Sequence, residues 1–434
     1  MNVFEAEIAK YERRLEKIER NPNPNMAASN KLLYQVQLED NREHLRAWRE
    51  GKDFVGVATG GMLMRCFGDF GRLNLVRIAD RLATGRAEQC VDMVGALGLP
   101  DYACDRTVLF LPLATAGDDL PKPRIIVSRT GACEVVNDTH RTLAHLLGVP
   151  VFTVDIPLGD PDQENLAYVV KQLEALIEFV ETHLPGARFN ESKLREYQEL
   201  GRRWRAALHD IGEMRKLIPC PEHPRDVFRE PLFPEEFTNS PLIVKYYEDF
   251  RDELRGRVAR RWSPVGEERL RIVWAITGPY GSNIWDYLAK RGVAVPFWHY
   301  GGSKRNFLGP NFGDTEEYGR KLSPLEEEAR MWMYNSWGGG GERWIGDTIN
   351  ACREFRADGL VLFEQTGCLP VVGLGHVIAG RLEQQMHIPV WRIEGRQLLG
   401  RSEGVEAQFM AGLEEFVDLC FQRKEAALLR SQPS

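Results

Sequence analysis

The chain has 434 residues, 43% hydrophobic and 27% charged, with a formal net charge of −7. That length exceeds one ordinary core and predicts two or three globular domains. The acidic balance excludes the clustered Lys/Arg excess of an electrostatic nucleic-acid binder, and no apolar run approaches the ~20 residues that span a bilayer.

Met1-Asn2-Val3-Phe4-Glu5 lacks the basic-then-apolar pattern of a secretory leader, so a cytoplasmic location is expected. In a reducing cytosol the eight cysteines (66, 90, 104, 133, 220, 352, 368 and 420) are buried hydrophobes, reactive thiols or metal ligands, not disulfides. No CxxC pair is present, so any bound metal draws its ligands from distant segments.

Phe4, Ile8, Tyr11, Leu15 and Ile18 fall at helical spacing, and Asn21-Pro22-Asn23-Pro24-Asn25 ends that helix. A second polar helix runs to about Glu50. Residues 1–50 therefore form an N-terminal helical segment, either a clasp on the body or partner, or a solvated hairpin. A first α/β domain is expected over 51–218. It has strands at Phe54–Ala58, Ile125–Ser128 and Val151–Ile156, and helices at Ile78–Leu97, Glu134–Leu147, Asp162–His183 and Glu191–Glu213. Prolines 219, 221, 224, 231, 234 and 241 mark a connection over 219–243. A second α/β domain follows over 244–434. Its strands Leu270–Ile276, Val293–His299, Gly359–Phe363 and Val390–Glu394 alternate with helices at Pro324–Tyr334, Glu342–Phe355, Val371–Met386 and Val405–Phe421. Such alternation predicts an α/β fold: two doubly wound, Rossmann-like parallel-sheet domains with added helices.

One pattern occurs twice. Ile125-Ile126-Val127-Ser128 leads to Arg129-Thr130-Gly131-Ala132-Cys133, then a helix and a strand opened by Pro150. Leu360-Val361-Leu362-Phe363 leads to Glu364-Gln365-Thr366-Gly367-Cys368, then a helix and a strand opened by Pro389. Ligands bind beyond the carboxyl ends of such strands, so each half carries a cysteine where chemistry is done. Cys104, in the loop before the Cys133 strand, supplies a third. Three thiolates could hold a [4Fe–4S] cluster with one iron lacking a cysteine, although four is usual and the spacing alone is not diagnostic. An open iron is a Lewis-acid site for a substrate oxygen.

Other motifs are weaker. The glycines of Thr59-Gly60-Gly61, Thr277–Ser282 and Trp337–Gly341 either turn the chain or bring amides to an anion. Gly60, Gly61, Gly339 and Gly340 are taken as candidate substrate contacts. Gly373-Leu374-Gly375-His376 falls short of a dinucleotide fingerprint, and no GxxxxGK[ST] occurs. His299 and His376 could transfer protons, or be structural.

Together, several stretches resemble the 2-hydroxyacyl-CoA dehydratase/benzoyl-CoA reductase family, in particular a subunit like the 2-hydroxyglutaryl-CoA dehydratase D-component. They are Asp101-Tyr102-Ala103-Cys104, Pro121-Lys122-Pro123 with Thr130-Gly131-Ala132-Cys133, Pro150–Pro157, Tyr168–Leu173, Ala357–Leu362 with Thr366-Gly367-Cys368, and Ile388-Pro389 with Glu394. The resemblance runs from about Phe54 to Leu419. It implies a heterodimer of related subunits, each with a [4Fe–4S] cluster on three cysteines: here Cys104, Cys133 and Cys368. It also implies a separate ATP-hydrolysing iron–sulfur activator that delivers a low-potential electron, and an acyl-CoA substrate. Thr59 falls near the family's small polar group over the open iron. In the dehydratases the electron makes a ketyl radical that expels the 2-hydroxyl; in the benzoyl-CoA reductases electrons enter the aromatic ring. The sequence departs from the pattern at Asp105-Arg106, where relatives carry a Thr-Tyr-like pair, and at Glu394-Gly395-Arg396, in place of Glu-x-Asp. The expected function is a cluster-bearing dehydratase subunit. Benzoyl-CoA reductase subunit is the first alternative, and a non-catalytic electron carrier or heterodimer-completing protein the second.

Overall fold

A computed structural model describes all residues except 1, 58–61, 69, 76–86, 100–101, 117–118, 132, 160–161, 230–236, 277–283, 300–314, 335–339, 397–402 and 432–434. A capping box opens the first helix. Asn2 accepts from the Glu5 N–H at 2.9 Å, and Glu5 accepts from the Asn2 N–H at 3.2 Å. α1 (Val3–Arg20) and α2 (Asn30–Arg49) run antiparallel, tied by the ion pairs Arg49–Glu5 and Arg42–Glu12.

The first sheet holds β1 (Phe54–Val57), β2 (Gly71–Asn74), β3 (Ile125–Arg129) and β4 (Val151–Val154). Its order is β2-β1-β3-β4, all parallel. Its helices are α3 (Ala87–Ala96), α4 (Asp105–Val108), α5 (Phe110–Ala116), α6 (Glu134–Leu147), α7 (Gln163–His183) and α8 (Glu191–Arg215). After α9 (Pro224–Val227) and α10 (Pro241–Ala259) the second sheet begins. It comprises β5 (Leu270–Ala275), β6 (Val293–His299), β9 (Gly359–Gln365) and β10 (Val390–Gly395), ordered β10-β9-β5-β6 and again all parallel. Between its strands lie α11 (Ile284–Lys290), the short hairpin β7 (Glu316–Glu317) and β8 (Arg320–Lys321), α12 (Pro324–Met333), α13 (Gly341–Glu354) and α14 (Leu369–Met386). α15 (Glu403–Ser431) closes the chain.

Numbered within its own half, each sheet has the order 2-1-3-4, the doubly wound arrangement whose switch point lies between the first and third strands. The two Rossmann-like domains are thus a tandem repeat. Every residue of β5, β6 and β9 is buried, as befits parallel strands covered on both faces. Alternate residues feed opposite cores: Trp274 and Phe363 one, Val273 and Leu362 the other.

Four elements depart from expectation. β2 is four residues long and pairs β1 from Phe54↔Gly71 to Val57↔Asn74, with too short an apolar pattern to announce itself. Pro224 and Pro241 do not break the chain but open α9 and α10 at N1, behind His223 and Ser240 as N-caps. α15 also runs on to Ser431, past the expected end at Phe421.

One helix crosses between halves. α12 lies between β6 and β9 in sequence, yet Leu322, Ala329, Trp332 and Met333 join Val55, Val127 and Leu173 in the first core. The Gln198 side chain donates to the Pro324 carbonyl at 2.8 Å, and the Leu63 N–H donates to buried Glu328 at 3.2 Å. A further core joins α2, α8 and α10 through Leu33, Trp204 and Tyr247.

Candidate metal centre

Cys104, Cys133 and Cys368 each stand at the N-cap of a helix: α4, α6 and α14. Cys133 follows β3 and Cys368 follows β9, the third strand of each half. Both therefore sit at the carboxyl end, beside the switch point, where the fold places a ligand. Helix N-termini carry partial positive charge, which favours thiolate over thiol and anions generally.

The turns that deliver the two cysteines share their construction. Gly131 has φ +82° and Gly367 φ +81°, the left-handed region that suits glycine. The Thr130 N–H donates to the Val154 carbonyl at 2.9 Å, and the Thr366 N–H to the Gly395 carbonyl at 2.8 Å. The Thr130 hydroxyl donates to Asp155 at 2.7 Å; the Thr366 hydroxyl donates to Glu394 at 3.3 Å. Asp155 also accepts from the Tyr168 hydroxyl at 2.9 Å, which raises the Tyr168 pKa.

The halves meet here. A Cβ at Gly367 would lie 2.5 Å from the Cys104 nitrogen, so the Cys368 turn rests directly on the Ala103–Cys104 backbone. Beside it, the Gln365 side chain donates to Asp105 at 3.0 Å, and both residues are buried. Cys133 is close enough that its charge acts on Cys368. Burial first, then Cys133, pushes the Cys368 thiol up to about 12, opposed by the Val371 N–H. Burial likewise raises the Cys133 thiol, opposed by the Val135 and Val136 N–H groups. Cys133 is half-buried; Cys104 and Cys368 are 9% and 8% exposed.

Among the described residues no group of three or more His, Cys, Asp and Glu side chains could hold a single metal ion. A [4Fe–4S] cube gives each cysteine its own iron, so its thiolates stand farther apart than the ligands of one ion. Three thiols from three segments, each at a helix N-terminus and two of them almost fully buried, have the donor chemistry and setting of such a group.

Of the remaining cysteines, Cys90 packs in a core that takes in Ala103 and Val135, next to Cys104 and Cys133, and Cys352 shares a core with Cys368. Burial pushes Cys220, Cys352 and Cys420 up to about 12 and Cys66 higher still, as for inert core thiols. Thr59, Gly60, Gly61 and Gly339 lie outside the described residues. Gly340 is the N-cap of α13 with open space around its Cα, whereas a Cβ at Gly341 would meet Leu374 at 2.9 Å. His299 ends β6 fully buried against the Thr348 hydroxyl at 2.9 Å, and His376 lies exposed along α14, away from any strand end. In the sequence Asp105 stands out only as a departure from the family's pattern and Glu394 as the acidic end of the last strand, while Asp155 and Gln365 are not singled out. Their position beside the Thr-Gly-Cys turns was the available signal.

Tandem 2-1-3-4 sheets with cysteine turns on the third strands define a class of α/β protein, and the comparisons specify it. Residues 73–419 match the family model described as 2-hydroxyglutaryl-CoA dehydratase, D-component, and the chain belongs to that family. It is 23% identical to the (R)-phenyllactyl-CoA dehydratase alpha subunit of Clostridium sporogenes over 361 residues, 79% of this chain and 83% of that protein.

Proposed function

We propose that this chain is the [4Fe–4S]-bearing subunit of an electron-activated 2-hydroxyacyl-CoA dehydratase, with Cys104, Cys133 and Cys368 as ligands. The observation that carries this is the seating of the Cys368 turn on the Cys104 backbone, with Val135, two residues past Cys133, packed in one core with Ala103. When bound, the cluster would supply one-electron chemistry and a Lewis-acidic iron lacking a cysteine. The chain's own part is to fix three thiolates at helix N-termini, exclude water, and present Thr59, Gly60, Gly61, Gly339 and Gly340 toward the acyl-CoA. The dehydratase relative is an alpha subunit, which supports a related second subunit here. The sequence carries no P-loop, which supports ATP hydrolysis by a separate activator. The same relative favours dehydratase over benzoyl-CoA reductase chemistry. A cytoplasmic location suits reduced thiols, and no helix among the described residues is long and apolar enough to cross a membrane.

The test is anaerobic purification with iron and sulfide analysis, followed by assay of (R)-2-hydroxyacyl-CoA thioesters with partner subunit, activator and ATP. About four irons per chain and enoyl-CoA formation are expected. Iron-free protein, or turnover of benzoyl-CoA alone, would overturn the reading.

A further inference from the structure

A cavity lies at the N-terminal hairpin, lined by none of the three cysteines. The turn between α1 and α2, the C-terminal end of α10 and the first turn of α11 enclose a cleft of about 1550 Å³. A usual small-molecule pocket measures roughly 300–1,000 Å³, so this one suits an extended ligand.

Its charges are unevenly committed. Of its carboxylates, Glu253 accepts the Ala28 and Ser29 N–H groups at 2.7 Å each, Asp252 pairs with Arg251 and Arg255, and Asp286 pairs with Arg225 at 2.6 Å. Only Glu19 is left over among the described residues. Against it stand Arg14, Lys17, Lys31, Arg229 and Arg260, none with a carboxylate partner among the described residues. A basic last turn is ordinary for one helix. Here the basic ends of α1 and α10 converge on one cavity, Arg229 joins them from the end of α9 beside the buried Asp226, and among the described residues no carboxylate forms an ion pair with them. In a chain of net charge −7 this is a local reversal of sign. Arg14 is also held in place, its guanidinium 5.7 Å from the Tyr11 ring and 5.5 Å from the Tyr34 ring. A rigid fork matches phosphate oxygens in pairs, where a lysine offers only a point charge.

We infer that this cleft binds the phosphates of an extended organic polyphosphate, of the size of a dinucleotide or of coenzyme A. The phosphates sit among Arg14, Arg229 and Arg260, with Lys17 and Lys31 adding attraction from the hairpin. The chemistry is shared by a free nucleotide and by the phosphorylated nucleotide end of coenzyme A. It does not depend on the cysteines, so a chain without iron retains it.

Titration calorimetry of the full chain at low salt, with coenzyme A, ADP, pyrophosphate and pantetheine as separate ligands, tests this. Saturable binding of coenzyme A, ADP or both is expected, weakening as salt rises. Pantetheine, which has no phosphate, should not bind. Arg229→Ala/Arg260→Ala should weaken binding about tenfold or more, and Lys17→Ala/Lys31→Ala by less. Lys17, Lys31 and Arg260 are exposed and Arg229 is half-buried, and circular dichroism verifies the fold. Coenzyme A without ADP assigns the cleft to the thioester substrate's handle; ADP without coenzyme A assigns it to a free nucleotide. Absence of binding by every phosphate ligand, pantetheine binding as tightly as coenzyme A, or unchanged affinity in both double variants would overturn it.

Discussion

The Cys133 turn and the Cys368 turn are the same device turned to different uses. Both follow the third strand, both place a glycine near φ +80°, and both anchor a threonine to the adjacent strand. In the first half that glycine faces its own domain, where a Cβ would meet the Ile156 side chain at 2.8 Å. In the second half it faces the Cys104 backbone. An internal repeat thus became asymmetric by letting one copy serve as the contact between halves. The extra residue Ala132 before Cys133 marks the same divergence.

The largest expected effect removes the thiols. Cys133→Ala and Cys368→Ala should each lose most of the roughly four irons per chain and all turnover, while Cys90→Ala and Cys420→Ala keep the metal. Retention of iron in the Cys133→Ala/Cys368→Ala double variant would show that the paired turns serve packing alone.

Next come the glycines. Gly367→Ala forces a side chain into left-handed backbone and into main-chain atoms of Cys104, at a cost of about 3 kcal/mol or more. Gly131→Ala carries the same left-handed strain but meets Ile156 less closely, its side chain at 2.8 Å and its carbonyl at 3.1 Å, and should cost about 1–3 kcal/mol. Thermal unfolding measures both. Labelling with a maleimide separates them further: Cys104 should become reactive in Gly367→Ala and stay protected in Gly131→Ala. Equal labelling in the two would erase the difference between the halves.

Acid tests the halves together. Burial pushes His140 in the first and His299 in the second down to about 3. The unfolded chain takes up these protons near pH 6.5, whereas the folded chain does so only near pH 3. Stability from both is therefore full above about pH 6.5 and lost as pH falls toward 3, by roughly 1.4 kcal/mol per pH unit per histidine. His140→Gln and His299→Gln should each flatten the urea-unfolding profile over that window. An unchanged slope would mean these rings are solvated.

The smallest effect concerns the threonines. Thr130 donates to Asp155 and accepts the Ile156 N–H at 2.8 Å, while Thr366 makes one longer bond to Glu394. Thr130→Val should cost about 1–2 kcal/mol and Thr366→Val about half that. Chemical denaturation giving the reverse order would contradict the hydrogen-bond count.

What was legible in the sequence was local. β6 and α6 were read to the residue, since a buried parallel strand is a continuous apolar run and a helix keeps its period. A Thr-Gly turn ending in a cysteine after two such strands pointed to one place in each half. Pairing was not legible. No periodicity in Pro324–Met333 says that it fills the first core, because an apolar face does not name its partner. Likewise Asp105 and Gln365, 260 residues apart, give no hint in the sequence of their buried contact. The cleft at the hairpin depends on helix ends meeting in space, which composition cannot show.

The crossing of α12 has a consequence for synthesis. A ribosome makes the first sheet's strands long before it makes Ala329 and Trp332, which complete that sheet's core. Until residue 333 has left the exit tunnel, the nascent first domain keeps an apolar face uncovered and its Glu328 partner at Leu63 unmet. Maturation cannot proceed one domain at a time. A gene cut between α9 and α10 would yield two pieces, of which the first lacks a wall that only the second encodes.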